Sequence, residues 1–263
     1  MGSSQSFDAW IAALERRHLT NLTFAEVRRA LQALSSLYVQ RRDRLTSGSA
    51  FDGGGKRAAF ALYYGPLHFL LVREIVRALG PDLGHPSTLL DLGCGTGSAS
   101  AAWALECQPA PRIEGVDLSG FAVEESRWTW GRMGLQGAVR RADVRSVRLP
   151  GASAGVLAAF TVNELDDEAR EKLLTSVLEA ATRGASVLVV EPISRRTSPW
   201  WPDWTEAFEA RGGRTDEWRF PARLPERQAL LARAAGLDAR ELLGRSLSLG
   251  TNGRRAVDRA EIR

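Results

Sequence analysis

Residues 89–97 read Leu-Leu-Asp-Leu-Gly-Cys-Gly-Thr-Gly, and no other stretch of the chain restricts its fold so closely. The apolar residues of 88–92, with Asp91 near the end, suit a buried parallel strand that delivers its carboxyl end to a ligand. Gly93, Gly95 and Gly97 let the backbone turn sharply and pass close to that ligand, because a Cβ there would restrict φ or collide with it. The Ala-rich residues 98–105 have helix-forming composition. Strand, glycine turn and helix make the first half of a βαβ unit, in which ligands sit at the carboxyl ends of the strands.

A dinucleotide site would read Gly-x-Gly-x-x-Gly, but the third glycine, Gly97, comes one residue early and Ser98 fills the expected place. That spacing favours another nucleoside. The run resembles motif I of class I S-adenosylmethionine-dependent methyltransferases. The resemblance implies an α/β fold, a Rossmann-like seven-stranded sheet, with Asp91 and the glycine turn facing the methionine moiety and ribose of S-adenosyl-L-methionine.

Later segments follow in the same order. Residues 112–117 form a second short strand-like run ending in Asp117, 20 positions past Gly97, the usual distance for an acid that accepts hydrogen bonds from ribose hydroxyls. Leu118 adjoins it in the same cofactor contact, while Ser119 suits a helix cap. A third strand-like stretch, 138–145, carries Asp143. By resemblance Asp143 meets the adenine amino group and Val144 packs near the ring; the plain alternative is a solvated loop carboxylate. A fourth apolar run, 155–160, ends at Thr161-Val162-Asn163-Glu164-Leu165. In the family this strand end lies beneath the transferable methyl group, so Asn163 is expected at the cofactor and Glu164 as a catalytic base. Glu164 equally suits the start of a helix through 166–182, where early acids favour the helix dipole. The segment lacks the Asn/Asp-Pro-Pro-Tyr/Phe signature of methyltransferases acting on exocyclic amines of DNA bases or on glutamine amides. Residues 185–190, ending at Glu191-Pro192, read as a fifth buried strand.

A chain of 263 residues with 44% apolar content can bury one large α/β core. The expected division is a helical segment, 1–87, covering the cofactor, and a methyltransferase domain, 88–263. In the first part Thr23 to Glu26 fits a capping box, and Val27, Leu31, Leu34 and Tyr38 recur at helical spacing, which predicts a long amphipathic helix to about Leu45. Residues 46–55, rich in glycine, read as a connection. Residues 56–79 look helical again but for Gly65-Pro66, with Pro66 placed to start the second piece. That bend gathers Tyr63, Tyr64 and His68. Tyr63 or Tyr64 is expected to pack on the cofactor or donate to its carboxylate, and His68 to serve as a general base near neutral pH. Ordinary packing between helices is the alternative.

Residues 194–226 hold Trp200, Trp201, Trp204 and Trp218 among several prolines. They read as an insertion over the carboxyl edge of the sheet, where tryptophans wall an apolar or cation-binding pocket or simply cover the sheet or a subunit interface. Residues 223–235, Gly236 and 238–249 then read as helix, stop and closing antiparallel strand.

The net charge is only +4, and Lys56 and Lys172 are the only lysines. The arginine pairs at 16–17, 28–29 and 41–42 are interleaved with Asp8, Glu15, Glu26 and Asp43, as on a solvated helix face. Cys94 and Cys107 are too few for a disulfide framework or a cysteine-rich zinc site. With no 18-residue apolar stretch and no signal-peptide pattern, the expectation is a soluble protein of a reducing cytoplasm.

The order of Ala33-Leu34-Ser35-Ser36-Leu37-Tyr38, the tyrosine-containing helix and Asn163-Glu164-Leu165 is also similar to the methyltransferase-like proteins of the mitochondrial small ribosomal subunit and their bacterial relatives. Those commonly carry a late cysteine cluster. This chain has no cysteine beyond Cys107, so an iron–sulfur site is not supported. The class I resemblance implies methyl transfer to an oxygen, nitrogen or carbon without a protein metal, and the Trp-rich stretch favours a small organic acceptor. The alternatives are methylation of ribosomal RNA or a ribosomal protein, or a non-catalytic ribosome-assembly factor that binds the cofactor.

Overall fold

The computed structural model describes residues 3–40, 52–193 and 198–250. The end of the long amphipathic helix, the first part of the 46–55 connection, the arginine pair at 41–42 and residues 194–197 lie outside them.

The first strand, β1 (Thr88–Leu92), and the helix α5 (Ser98–Leu105) flank the glycine turn as its sequence requires. Ahead of them run α1 (Ser3–His18), α2 (Phe24–Gln40), α3 (Gly54–Ala59), a π turn (Phe60–Tyr64) and α4 (Gly65–Leu79). The capping box forms: the Thr23 N–H donates to Glu26 Oε2 at 2.7 Å and the Glu26 N–H to Thr23 Oγ1 at 3.3 Å. Gly65-Pro66 does not stop the helical path. It follows directly on the π turn, and Pro66 falls in the first turn of α4, where a proline is tolerated.

After α5 come β2 (Arg112–Asp117), α6 (Gly120–Arg132), β3 (Gly137–Arg141), β4 (Ala154–Ala159), α7 (Asp167–Thr182), β5 (Ser186–Glu191), α8 (Trp201–Glu209), β6 (Arg214–Pro221), α9 (Glu226–Ala235) and β7 (Glu241–Leu249). The seven strands lie in the order β3-β2-β1-β4-β5-β7-β6. All neighbours are parallel except β7, which runs antiparallel to β5 and to β6. Sequence order reverses between β1 and β4, and such a switch point opens a crevice at the carboxyl ends of the strands.

Alternate residues of the central strands serve opposite faces. Leu89, Ile113, Leu157 and Leu188 pack with α1 to α6, whereas Leu90, Val116, Val156 and Val187 pack with α7 and α8. Both faces are therefore covered, which explains the unbroken apolar runs of β4 and β5.

The stretch 194–226 departs from its expected role as an insertion, because it supplies α8 and the edge strand β6 of the sheet itself. Trp200, Trp201 and Trp204 are buried against Val189, Leu247 and Phe208. Trp218, on β6, donates from Nε1 to Ser246 Oγ at 2.8 Å. As an edge strand half in solvent, β6 is largely polar, and its alternation is masked by Arg214, Asp216, Glu217 and Arg219. Among the described residues, no helix is long and apolar enough to cross a membrane.

Candidate functional site: a glycine cradle between two acids

The three turn glycines adopt φ of +67° at Gly93, +53° at Gly95 and +70° at Gly97, the left-handed region that L side chains rarely enter. Space also excludes other residues. A Cβ at Gly93 would lie 2.5 Å from Thr161 Oγ1, and one at Gly97 would lie 2.7 Å from Trp130 Nε1. The Thr161 hydroxyl donates to the Leu92 carbonyl at 2.9 Å, tying the end of β4 to the end of β1. At Gly95 a Cβ would reach Phe60 Cε1 of the π turn at 3.8 Å, and at Gly65 it would meet Thr96 Oγ1 at 3.2 Å. The helices ahead of β1 thus roof the glycine turn.

Two carboxylates flank it. Asp91 is 1% exposed, and its Oδ2 has no hydrogen-bond partner among the described residues. Burial pushes its pKa up to about 7, with the nearby Asp117 charge adding to the rise and Ser100 opposing it. A buried acceptor of this kind is suited to a cationic or hydrogen-bonding ligand group. Asp117 accepts from the Gly95 N–H at 3.0 Å through Oδ2 and from the Ser119 N–H at 2.8 Å through Oδ1. Burial raises its pKa, opposed by these backbone donors. Each oxygen retains a second lone pair, the requirement for accepting from two adjacent hydroxyls. Leu118 beside it is 46% exposed, a large apolar side chain at the rim.

Asp143 lies in the turn after β3, next to Ala142, whose N–H donates to the Asp117 carbonyl at 3.0 Å. Its carboxylate is held by the backbone and guanidinium of Arg145, which keep its pKa below the usual range. Val144 is half-buried beside it.

Asn163 occupies a short turn after β4 with both ends of its side-chain amide hydrogen-bonded. Its Nδ2 donates to Glu191 Oε2 at 2.6 Å, and its Oδ1 accepts from Ser198 Oγ at 2.7 Å and from Trp200 Nε1 at 2.9 Å. Glu191, fully buried, also accepts from the Asn163 N–H at 3.1 Å. Asn163 is therefore directed into the protein, while the next residue, Glu164, is exposed.

His68 stacks on Phe160 with ring centroids 3.8 Å apart and planes at 15°. Burial lowers its pKa to about 3, so the imidazole is neutral and a weak proton acceptor at neutral pH. Tyr64 is half-buried next to it, with centroids 6.0 Å apart. Tyr63 is buried, which pushes its phenol up to about 12.

The site thus unites Asp91, the three glycines and Asp117 around one turn, with Tyr64 and His68 on the roof. Phe60, Phe160, Thr161, Trp130 and Glu191 also shape the site, though none belongs to the glycine motif. Only Glu191 leaves a signal, a carboxylate ending an otherwise apolar buried strand.

Strand order, acid-ended first strand, glycine cradle and acid-ended second strand together make the arrangement expected of a class I S-adenosylmethionine-dependent methyltransferase fold. The buried unpartnered oxygen of Asp91 and the cradle that side chains would fill fit that cofactor. Residues 89–184 match the family model described as a methyltransferase domain. Over 114 residues the chain is 37% identical to the ribosomal RNA small subunit methyltransferase C of Pseudomonas aeruginosa, a match covering 41% of this chain and 32% of that protein. The chain spans a third or less of the length of the curated relatives it matches. Among solved structures it is similar to the mitomycin 7-O-methyltransferase MmcR (15% identity, 91% of this chain, 72% of that one, TM-score 0.53). It is also similar to a putative O-methyltransferase of Nostoc punctiforme (13% identity, 92% of this chain, 72% of that one, TM-score 0.51). At these identities the likeness is one of fold.

Proposed function

We propose that the chain transfers the methyl group of S-adenosylmethionine to a nucleophilic oxygen, nitrogen or carbon of a small organic acceptor. The observation that carries this reading is the roof: Phe60 lies over Gly95 and Gly65 over Thr96, so helices cover the cofactor turn. The surface charge adds support at three places, because Arg145, Arg214 and Arg240 each pair with an acid two residues away.

The cofactor supplies an electrophilic methyl group on a positive sulfur. In this reading Asp91 serves its methionine end, Asp117 the ribose hydroxyls, Leu118 and Val144 the adenine faces, and Asp143 the adenine amino group. Tyr64 closes the site from above. Asn163, clamped by Glu191, fixes the turn that presents Glu164, our proposed base for an acceptor that arrives protonated. The protein's chief contribution is then alignment and exclusion of water. His68, neutral with a pKa of about 3, is assigned to the wall of the site rather than to proton transfer.

The test is mass spectrometry of a cell extract incubated with the protein and isotopically labelled cofactor. Label in a small metabolite is the expected result; label confined to ribosomal RNA or a ribosomal protein overturns the proposal. That second reading draws on the matched stretch shared with the ribosomal RNA methyltransferase.

A further inference from the structure

We infer that the acceptor is a flat aromatic or heteroaromatic molecule and that Phe160 is the residue that selects it. The inference rests on the small-acceptor reading above.

Phe160 directly follows β4 and precedes Thr161, whose hydroxyl donates to the Leu92 carbonyl at the end of β1, so it stands beside the glycine turn. Its φ is +59°, a conformation that a bulky side chain keeps only where its surroundings enforce it. The enforcement is visible. The Phe160 N–H still donates to the Val190 carbonyl at 2.8 Å, holding the backbone to β5, while the side chain lies flat on His68. Strain of this kind clusters where a binding site needs a side chain that regular geometry cannot supply.

The ring does not stand alone. Phe60 and Tyr64 have centroids 6.0 Å from that of His68, and Phe60 and Tyr64 are 5.6 Å apart. Three of the four rings come from residues 60–68, where the π turn widens the helix and gathers them on one side; the fourth is carried by the sheet. Phe60 also touches the Gly95 position, so the aromatic wall is continuous with the cofactor turn. Packing alone would bury these rings, as it does Trp10 and Phe69, both fully inside. Tyr64, His68 and Phe160 instead remain partly exposed.

Such a wall recognises its ligand through π faces and dispersion, which favour a planar ring over a puckered one of equal size. At 3.8 Å the His68 and Phe160 rings already touch, so the acceptor stacks on the outer face of the pair rather than between its members.

The test uses the full chain loaded with S-adenosylhomocysteine. Binding of 8-hydroxyquinoline and catechol is measured by saturation-transfer NMR against the saturated analogues decahydroquinolin-8-ol and cyclohexane-1,2-diol. The aromatic probes are expected to bind at least tenfold more tightly than the saturated ones. Phe160→Ala should remove that preference and Phe160→Tyr should keep it, with S-adenosylhomocysteine affinity unchanged in both. Phe160→Gly, which accepts positive φ, should remain folded and also lose the preference, separating recognition from stability. Equal or absent binding of the aromatic probes overturns the inference, as does a preference that survives Phe160→Ala. In the labelled-extract experiment, a non-aromatic small product overturns this inference but not the proposed function, whereas a macromolecular product overturns both.

Discussion

The indole nitrogen of Trp130 donates to the carbonyl oxygen of Gly97 at 2.9 Å, across 33 residues, and so ties α6 to the cofactor turn. The same indole lies over two glycines of the sheet. A Cβ at Gly115 would sit 2.6 Å from Trp130 Cη2, and one at Gly137 would sit 2.6 Å from Cε3. Glycines on β2 and β3 thus form the slot that lets one tryptophan reach the turn.

Gly115→Ala is therefore expected to displace the indole. Overpacking of a close-fitted core costs about 1–3 kcal/mol. Because the displaced ring also loses the Gly97 carbonyl, cofactor affinity should fall with stability. Chemical denaturation and calorimetric titration measure the two effects. Full cofactor affinity in a destabilised variant would show that Trp130 packs the core without setting the turn.

This relationship marks where the sequence is legible and where it is not. The glycine turn, Asp117 and the order of the first five strands are readable because each depends on local chemistry, a positive φ or a buried apolar run. Gly115 and Gly137 look unremarkable, since their purpose lies in a tryptophan brought to them by the fold. For the same reason Phe160 hides in an apolar run, and β6 hides behind the charges of an edge strand. Asn163 reads from its place after the fourth strand as a cofactor residue, yet its partners Glu191, Ser198 and Trp200 lie 28 or more positions away and turn its side chain inward.

Asp117 joins the turn to the proposed ribose contact, because the oxygen that accepts from Gly95 also faces the cradle. Asp117→Ala should weaken S-adenosylhomocysteine binding at least tenfold, and leaving the Gly95 and Ser119 donors unpaired should cost about 1–3 kcal/mol. Isothermal titration checks the first effect and thermal unfolding the second. Unchanged affinity would remove Asp117 from the cofactor site.

Asp91 makes the cofactor-free protein sensitive to pH in a definite direction. Its folded pKa of about 7 exceeds the unfolded value of 3.8, so the folded state binds the extra proton between those limits. The raised pKa thus contributes stability that is present at acid pH and lost as pH rises from about 4 to about 7, at about 1.4 kcal/mol per pKa unit. Asp91→Asn should flatten this limb and raise the melting temperature of the cofactor-free protein at pH 7.5. It should also weaken cofactor binding, since the neutral amide presents a weaker acceptor to the methionine end. Melting curves between pH 5 and 8, with and without S-adenosylhomocysteine, test both expectations.

Glu191 offers a way to separate alignment from binding. Its buried carboxylate holds both the backbone and side-chain nitrogens of Asn163, and Arg245 is its register partner on β7. Arg245 lies 3.9 Å over the Trp201 ring; burial lowers its pKa, against the charges of Glu191 and Glu217. Glu191→Gln keeps the shape but sets an amide donor against those of Asn163 and removes a negative charge near Arg245. The turn carrying Glu164 should shift while Asp91, Asp117 and the glycine cradle stay in place. A displacement of about 1 Å at the reacting groups costs on the order of a hundredfold in rate. The expected signature is thus a large fall in kcat with cofactor Kd within about twofold, and Asn163→Ala should reproduce it. Parallel loss of cofactor affinity would instead show that Glu191 supports the whole carboxyl edge of the sheet, and that the Asn163 turn has no separate part in alignment.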